Sequence, residues 1–157
     1  MNTRTQIADF AGGCFWGTEE AFLGKAGVTK TEVGYEGGHV PKPTYAMVCS
    51  HITGHAETVR VTFDPKKISY RQLLELYMQS HDPTQLNRQG PDVGDSYRSA
   101  IFYHDDEQKQ TAEDYIAELD AADKYRDPIV TQVVPVTKFW LAEDYHQQYF
   151  AKQRGDA

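Results

Sequence analysis

Hydrophobic and polar residues alternate most regularly between positions 55 and 63, where the sequence reads His-Ala-Glu-Thr-Val-Arg-Val-Thr-Phe. This period of two predicts a β-strand, whose side chains point alternately to its two faces. Val59, Val61 and Phe63 share one face, which we therefore expect to be buried. Glu57 shares that face, so the pattern predicts a carboxyl group directed into the interior near the start of the strand.

Two other segments have a helical period, and each begins with a capping pattern. Ser69 and Gln72 precede one apolar run, while Asp105 and Gln108 precede a helix predicted to end near Ala121. Four further strands are predicted at residues 7–11, 31–35, 99–103 and 129–136, and two further helices at residues 14–22 and 143–150. Loops are predicted at residues 34–38 and 81–95. This mixture predicts a two-layer α/β arrangement, and the lack of repeats or linkers predicts a single domain over residues 1–157.

Composition narrows the class of protein. The 157 residues carry a formal net charge of −7, which argues against nucleic acid or an anionic membrane as the main partner. No apolar run has the length of a membrane span, and the first residues lack the apolar stretch of a secretion signal, so we expect a cytoplasmic protein. Two cysteines are too few for a disulfide framework, so each is either buried filler or reactive.

Cys14 stands between a predicted strand and a predicted helix, in the segment Ala-Gly-Gly-Cys-Phe-Trp-Gly. Gly12 and Gly13 permit a tight turn and leave room for a ligand near the backbone. Because a helix start lowers the pKa of a thiol, we expect a nucleophilic thiolate near neutral pH, with Phe15 and Trp16 as an apolar cup for an uncharged group. Alone, the segment fits equally well a small buried residue among core aromatics.

Glu57 is a candidate general acid. Burial raises the pKa of a carboxyl group, so that it stays protonated and able to donate near neutral pH. The alternative is a strand that begins after Glu57 and leaves this side chain at a solvated edge.

Several further segments, taken with these, carry a family resemblance. They are Gly-Cys-Phe-Trp-Gly at 13–17, Gly-Tyr-Glu-Gly-Gly at 34–38, Pro-Thr-Tyr at 43–45, Gly-His-Ala-Glu at 54–57, His-Asp-Pro-Thr at 81–84, Arg-Gln-Gly at 88–90, Tyr-Arg-Ser-Ala-Ile at 97–101 and Glu-Asp-Tyr-His-Gln at 143–147. In this order, from about residue 7 to 150, they resemble peptide methionine sulfoxide reductase A.

The resemblance implies an α/β (α+β) fold, a two-layer sandwich in which a mixed β-sheet packs against helices around a ferredoxin-like core. It also implies reduction of the S epimer of methionine sulfoxide, in proteins or as the free amino acid, for the repair of oxidative damage. The implied roles are Cys14 as the nucleophile that becomes a sulfenic acid, Glu57 as the acid, Tyr45 and Tyr97 as hydroxyls directed at the sulfoxide oxygen, Phe15 and Trp16 as the pocket for the substrate's methyl group, and Asp92 as a supporting carboxylate.

Regeneration of Cys14 is the point at which the sequence departs from the family pattern. Many relatives carry resolving cysteines in a C-terminal tail, whereas this sequence ends at Ala157 with no cysteine there. Either Cys49 attacks the sulfenic acid to form a disulfide, or an external thiol (thioredoxin, glutaredoxin with glutathione, or a dithiol) reduces Cys14 directly, which we favour. No bound cofactor or metal is expected, and we expect a monomer.

Three rival readings remain open at this point. Cys49, His51 and His55 suggest a zinc site, although a fourth ligand is not evident. A Cys-His hydrolase or acyl transferase would use His55 or His146 as the base for Cys14. A domain that binds a peptide or small ligand, with an incidental thiol, is the third.

Overall fold

The computed structural model describes residues 5–155, in which a six-stranded sheet is packed against helices. The strands are β1 (Gln6–Ala11), β2 (Val28–Glu36), β3 (Ala56–Phe63), β4 (Arg88–Gln89), β5 (Asp92–Val93), β6 (Ala100–Tyr103), β7 (Gln132–Pro135) and β8 (Trp140–Leu141). The helices are α1 (Phe15–Phe22), α2 (Tyr45–Cys49), α3 (Tyr70–Gln79), α4 (Asp106–Ala121) and α5 (Tyr149–Arg154), with 3₁₀ turns at Asp95–Tyr97 and Asp144–His146.

The sheet is mixed, as the resemblance implied. Its order is β7-β6-β1-β3-β2-β8, in which β6 and β7 are parallel and the other neighbours are antiparallel. Strands β4 and β5 form a separate antiparallel pair within the predicted loop at 81–95. The α/β class with a mixed sheet against helices is therefore confirmed.

Both helices begin where the capping patterns predicted, but only the pattern at Ser69 forms in full. The hydroxyl of Ser69 accepts from the N–H of Gln72 at 3.0 Å, and the Gln72 side chain accepts from the N–H of Ser69 at 2.8 Å. At α4, Asp105 accepts from the N–H of Gln108 at 2.8 Å, but the Gln108 side chain accepts from the N–H of His104 instead. Both helices thus begin with backbone N–H groups satisfied by side chains.

The main core lies between the sheet and helices α1, α3 and α4. In register across β1, β3 and β6, Phe10 pairs with Val59 and with Ile101, and all three are fully buried. The Phe10 ring also stacks on Phe22 of α1 at 5.3 Å and on Tyr77 of α3 at 4.9 Å between centroids. These apolar contacts fix α1, and with it the residues at its start, against the sheet.

The opposite face of the sheet carries a buried charged cluster. Arg60 donates to both carboxylate oxygens of Asp9 at 2.9 Å, and the ring of Phe139 lies 4.4 Å from its guanidinium carbon. Burial, followed by the charge of Asp9, raises the pKa of Glu36 to about 10, so this carboxyl group is neutral. Burial opposes ionisation of Asp9, but hydrogen bonds from Arg60 and His104 outweigh it and lower the pKa of Asp9.

Several predicted boundaries differ from the structure. Strand β2 begins earlier and runs on to Glu36, into the expected loop at 34–38, while β7 covers only part of the strand predicted at 129–136. The short helix α2 was not predicted.

The helix predicted at residues 143–150 is the largest error. This segment forms a 3₁₀ turn, passes through Gln148 at φ 48°, and then begins α5. The amide of Gln147 accepts from the N–H of Val33 and donates to its C=O, both at 2.9 Å, which ties the segment to the edge of β2. Such a long-range pairing has no signal in local periodicity.

Candidate functional site

Cys14 lies in the turn between β1 and α1, at the N-cap position of the helix. Gly13 has a φ of +88°, and a Cβ there would approach the Gln89 side chain to 2.8 Å; a Cβ on Gly12 would lie 2.9 Å from the ring of His81. The glycines are needed, but the space beside them is filled by the protein's own side chains. On the side to which a Cβ would point, there is therefore no room for a ligand.

Burial raises the pKa of the Cys14 thiol to about 11, and the charge of Glu57 adds to this effect. The N–H groups of Trp16 and Gly17 in the first turn act in the opposite direction but do not overcome it. The expectation of a lowered pKa is therefore wrong for the free protein. A helix start stabilises a thiolate only as far as desolvation and a neighbouring carboxylate allow.

Glu57 is buried on the helix side of the sheet, as the alternation predicted, since β3 begins at Ala56. Its Oε1 accepts from the N–H of Phe15, the residue after Cys14, at 3.1 Å. Within residues 5–155 its Oε2 has no hydrogen-bond partner. Burial raises the pKa of Glu57 to about 7, and the charge of Asp92 contributes, so the group both holds and releases a proton near neutral pH.

Tyr45 reaches the site from the start of helix α2, and Tyr97 reaches it from the end of the 3₁₀ turn at Asp95–Tyr97. The N–H of Tyr45 is held by Glu143 at 2.9 Å, and the C=O of Tyr97 accepts from Gly13 at 3.2 Å. Burial raises the pKa of both phenols above the usual range, and the charge of Glu57 acts on each of them. Both hydroxyls are therefore protonated, and both lie within electrostatic reach of the carboxyl group.

Phe15 and Trp16 form part of an aromatic wall, but they contribute differently. Phe15 is fully buried, with its ring 5.1 Å from that of His146, whereas Trp16 keeps an accessible surface. The indole of Trp16 stacks on Tyr149 at 3.7 Å with 5° between the planes, and its Nε1 donates to Nδ1 of His146 at 3.0 Å. Tyr149 is not among the residues predicted for the site.

Asp92 and Cys49 lie within electrostatic reach of these groups. The charge of Asp92, in β5, raises the pKa of Cys14, Glu57 and Tyr97. Cys49, the last residue of α2, contributes to the raised pKa of the Tyr45 phenol, which stands four residues earlier on the same helix. Both cysteines are free thiols.

Two histidines offered as bases have other partners. Nδ1 of His55 accepts from the N–H of Gly38 at 2.9 Å, and its Nε2 lies 2.7 Å from the C=O of Val40. His146 accepts from the Trp16 indole, and burial lowers its pKa, which keeps it neutral. In the part of the chain that the structure describes, no group of three or more His, Cys, Asp or Glu side chains could hold a metal ion. No helix found there has the length and apolarity to cross a membrane.

Comparison with known proteins gives the family of this chain. A family profile described as "Peptide methionine sulfoxide reductase" matches residues 6–157. The protein of Methanosarcina acetivorans called Peptide methionine sulfoxide reductase MsrA is 60% identical over 146 residues, covering 93% of this chain and 78% of that protein. The crystal structure of Mxr1 from Saccharomyces cerevisiae in reduced form is 34% identical, with a TM-score of 0.90 over 98% of this chain and 88% of that chain.

Mxr1 has also been solved in complex with Trx2. That structure is 24% identical to this chain, with a TM-score of 0.66 over 95% of this chain and 87% of that chain, and shows the same fold. A profile match over nearly the whole length and 60% identity to a relative lead to one conclusion. The chain belongs to the peptide methionine sulfoxide reductase family.

Proposed function

We propose that this chain is a peptide-methionine (S)-S-oxide reductase, which returns methionine-S-sulfoxide in proteins, or as the free amino acid, to methionine. Residues 1–157 act as one catalytic domain and as a monomer. The observation that carries the proposal is the shared position of Cys14 and Glu57: the N–H next to the thiol binds one carboxyl oxygen, and the other oxygen is unpartnered among the described residues.

The two pKa values define how many protons the site holds. Between a pKa of about 7 for Glu57 and about 11 for Cys14, the pair carries one proton, mainly on sulfur. Such coupled groups titrate as a pair, and transfer of that proton to Glu57 gives a thiolate beside a neutral acid. This minor arrangement is the reactive one, because it supplies both the nucleophile and the proton donor.

The substrate's oxygen becomes more basic and more negative as its bond to sulfur weakens. Glu57 donates its proton to that oxygen, and the hydroxyls of Tyr45 and Tyr97 donate hydrogen bonds to it. Asp92 supports the arrangement by favouring the protonated form of Glu57. The Trp16 indole, held by His146 and Tyr149, forms the surface for the substrate's methyl group, with Phe15 behind it.

The reaction balances as a transfer of one oxygen atom. The Cys14 sulfur attacks the sulfoxide sulfur and an S–S bond forms. The substrate's oxygen then bonds to the Cys14 sulfur while its bond to the substrate sulfur and the new S–S bond both break, which leaves a sulfenic acid carrying the original thiol proton. The Cys14 sulfur is oxidised by two electrons and the substrate sulfur is reduced by two, which releases methionine. These steps need no bound cofactor.

Turnover requires a thiol to reduce the sulfenic acid. An external thiol attacks Cys14 and releases water, and a second thiol then opens the mixed disulfide. The complex of the related Mxr1 with Trx2 makes thioredoxin the first reductant to test, ahead of glutaredoxin with glutathione. The alternative is attack by Cys49, which acts on the pKa of the Tyr45 phenol at the same site.

Oxidation of Cys14 by the substrate tests the proposed function directly. After one equivalent of methionine-S-sulfoxide, the mass of the chain should rise by one oxygen located on Cys14, with methionine released in equal amount. Cys14→Ser should release none, and Cys49→Ser is the matched control, which should still release one equivalent. Methionine release by Cys14→Ser would refute the proposal, and an acyl-enzyme in place of the added oxygen would indicate a hydrolase.

A further inference from the structure

Three large apolar side chains stand exposed on the segments that surround the Cys14 site. Ile52, Val93 and Tyr145 have exposed fractions of 63%, 60% and 57%, and we call them the apolar rim. A single exposed apolar residue on a protein surface is ordinary. Three such residues from separate segments around one site form a patch of the kind that marks a binding surface.

Two members of the apolar rim lie on segments in contact with each other. Val93 follows Asp92, whose charge acts on the catalytic thiol. A Cβ on the next residue, Gly94, would overlap the ring of His51, so the His51 side chain packs against the backbone next to Val93. Ile52 follows His51 directly in the chain, so it belongs to the segment that contacts the one carrying Val93.

The third member, Tyr145, lies on the side of the site that carries Tyr45. The Tyr145 ring is 4.0 Å from that of His146, which is 4.4 Å from the ring of Tyr45. On the other side, the ring of His51 is 6.5 Å from that of Tyr97. The apolar rim therefore borders the group of hydroxyls from two directions.

We propose that the apolar rim binds the residues that flank the oxidised methionine in an extended polypeptide, and that it selects apolar flanks over small or acidic ones. The inference rests on the proposed function. Because Cys14 and Glu57 are recessed, a sulfoxide side chain must insert into the site while its backbone runs above, with neighbouring Cα atoms about 3.8 Å away. Their side chains then meet the apolar rim.

The negative charge near the apolar rim also favours a substrate with apolar flanking residues. Asp92 and Asp144 stand next to Val93 and Tyr145 in the chain, and the whole chain carries a net charge of −7. An acidic flank would meet carboxylates of the same sign, whereas an apolar flank displaces water from exposed apolar surface. The fitting partner is an unfolded or extended segment with apolar residues beside the sulfoxide.

The test compares kcat/KM for three blocked S-epimer substrates: methionine sulfoxide alone, with a glycine on each side, and with a leucine on each side. We expect the leucine-flanked substrate to exceed the glycine-flanked one by about tenfold, as partial burial of a leucyl side chain implies. The double variant Ile52→Ser, Val93→Ser should reduce this ratio to within about twofold of one. Leu86→Ser is the matched control and should keep the ratio, because Leu86 is 67% exposed but lines a separate crevice with Val130 and Gln132.

Each outcome decides the inference. Equal rates for the two flanked substrates, or a ratio that survives the double variant, would overturn it. A wild-type protein that sediments as a dimer, with a monomeric double variant, would show that a second copy of the chain occupies the apolar rim and would also overturn it. Failure to reduce even the substrate without flanks would refute the proposed function instead.

Discussion

Replacing Glu57 by glutamine separates proton transfer from the other roles of this side chain. Glutamine has nearly the same shape, and its amide oxygen can keep the 3.1 Å hydrogen bond from the N–H of Phe15. Its NH₂ group can still donate a hydrogen bond to the substrate oxygen. The variant loses only the negative charge and the transferable proton.

Two effects of opposite sign should follow. Removing the carboxylate lowers the pKa of Cys14 below about 11, because the charge of Glu57 is the second cause of its elevation after burial. At a fixed alkaline pH, we expect the population of Cys14 thiolate to increase by about tenfold or more. Sulfenic acid formation should nevertheless slow by about 10²–10³, the typical cost of losing one such group in the transition state.

The pH profile supplies an independent check. In the wild type, the single-turnover rate should rise as the pH passes about 7, where the Cys14–Glu57 pair loses its first proton. In Glu57→Gln no group titrates there, so the rise should move to the higher pH at which Cys14 itself ionises. Thiolate absorbance or alkylation gives the pKa, and quenched mixing followed by mass measurement gives the rate of oxygen addition.

A second buried glutamate provides the matched control. Glu36 is also fully buried and neutral, but it lies on the opposite face of the sheet. Glu36→Gln should leave both the pKa of Cys14 and the rate of oxygen addition within about twofold of wild type. An unchanged rate in Glu57→Gln, together with a lower thiol pKa, would refute the acid role of Glu57.

Three more outcomes are expected. Cys49→Ser should leave thioredoxin-coupled turnover intact if an external thiol reduces Cys14 directly; loss of that turnover, with dithiol-driven turnover retained, would make Cys49 the resolving residue. Tyr45→Phe and Tyr97→Phe should each lower the single-turnover rate by about 10–10² with little change in substrate affinity, and the double variant should fall further; a pure affinity loss would contradict hydrogen bonding to the reacting oxygen. The pKa of Glu36 is about 10 in the folded protein and about 4.5 in the unfolded chain. The free energy of unfolding should therefore fall as the pH rises between these values, by up to about 1.4 kcal/mol per pH unit. Glu36→Gln should flatten that slope in denaturant titrations, and an unaltered slope would contradict a neutral buried Glu36.

The parts of the fold that the sequence predicted are those with local causes. The alternation around Glu57 placed its carboxyl group on the buried face, and the capping pairs at Ser69 and Asp105 marked the starts of two helices. Short-range patterns of this kind are visible along the chain. Long-range contacts are not, which is why the pairing of Gln147 with Val33 and the turn at Gln148 escaped prediction.

The chemistry of the site was likewise predictable where its cause is local and not where it depends on long-range packing. The position of Cys14 at a helix start was evident from its glycines, but the direction of its pKa shift depends on how deeply the thiol is buried and on the nearness of Glu57. Those are properties of the packed structure. Tyr149 is a similar case, because its stacking on Trp16 joins residues at opposite ends of the chain.

The attachment of Gln147 to β2 has a consequence for the order in which the enzyme matures. It joins residues 114 positions apart, and the segment that it anchors carries the histidine and tyrosine against Trp16. During synthesis, which proceeds from the N-terminus, the cysteine emerges from the ribosome long before this wall exists. The growing polypeptide thus exposes its thiol without the surface that orients a substrate, and that surface is complete only when the segment held by Gln147 has docked on β2.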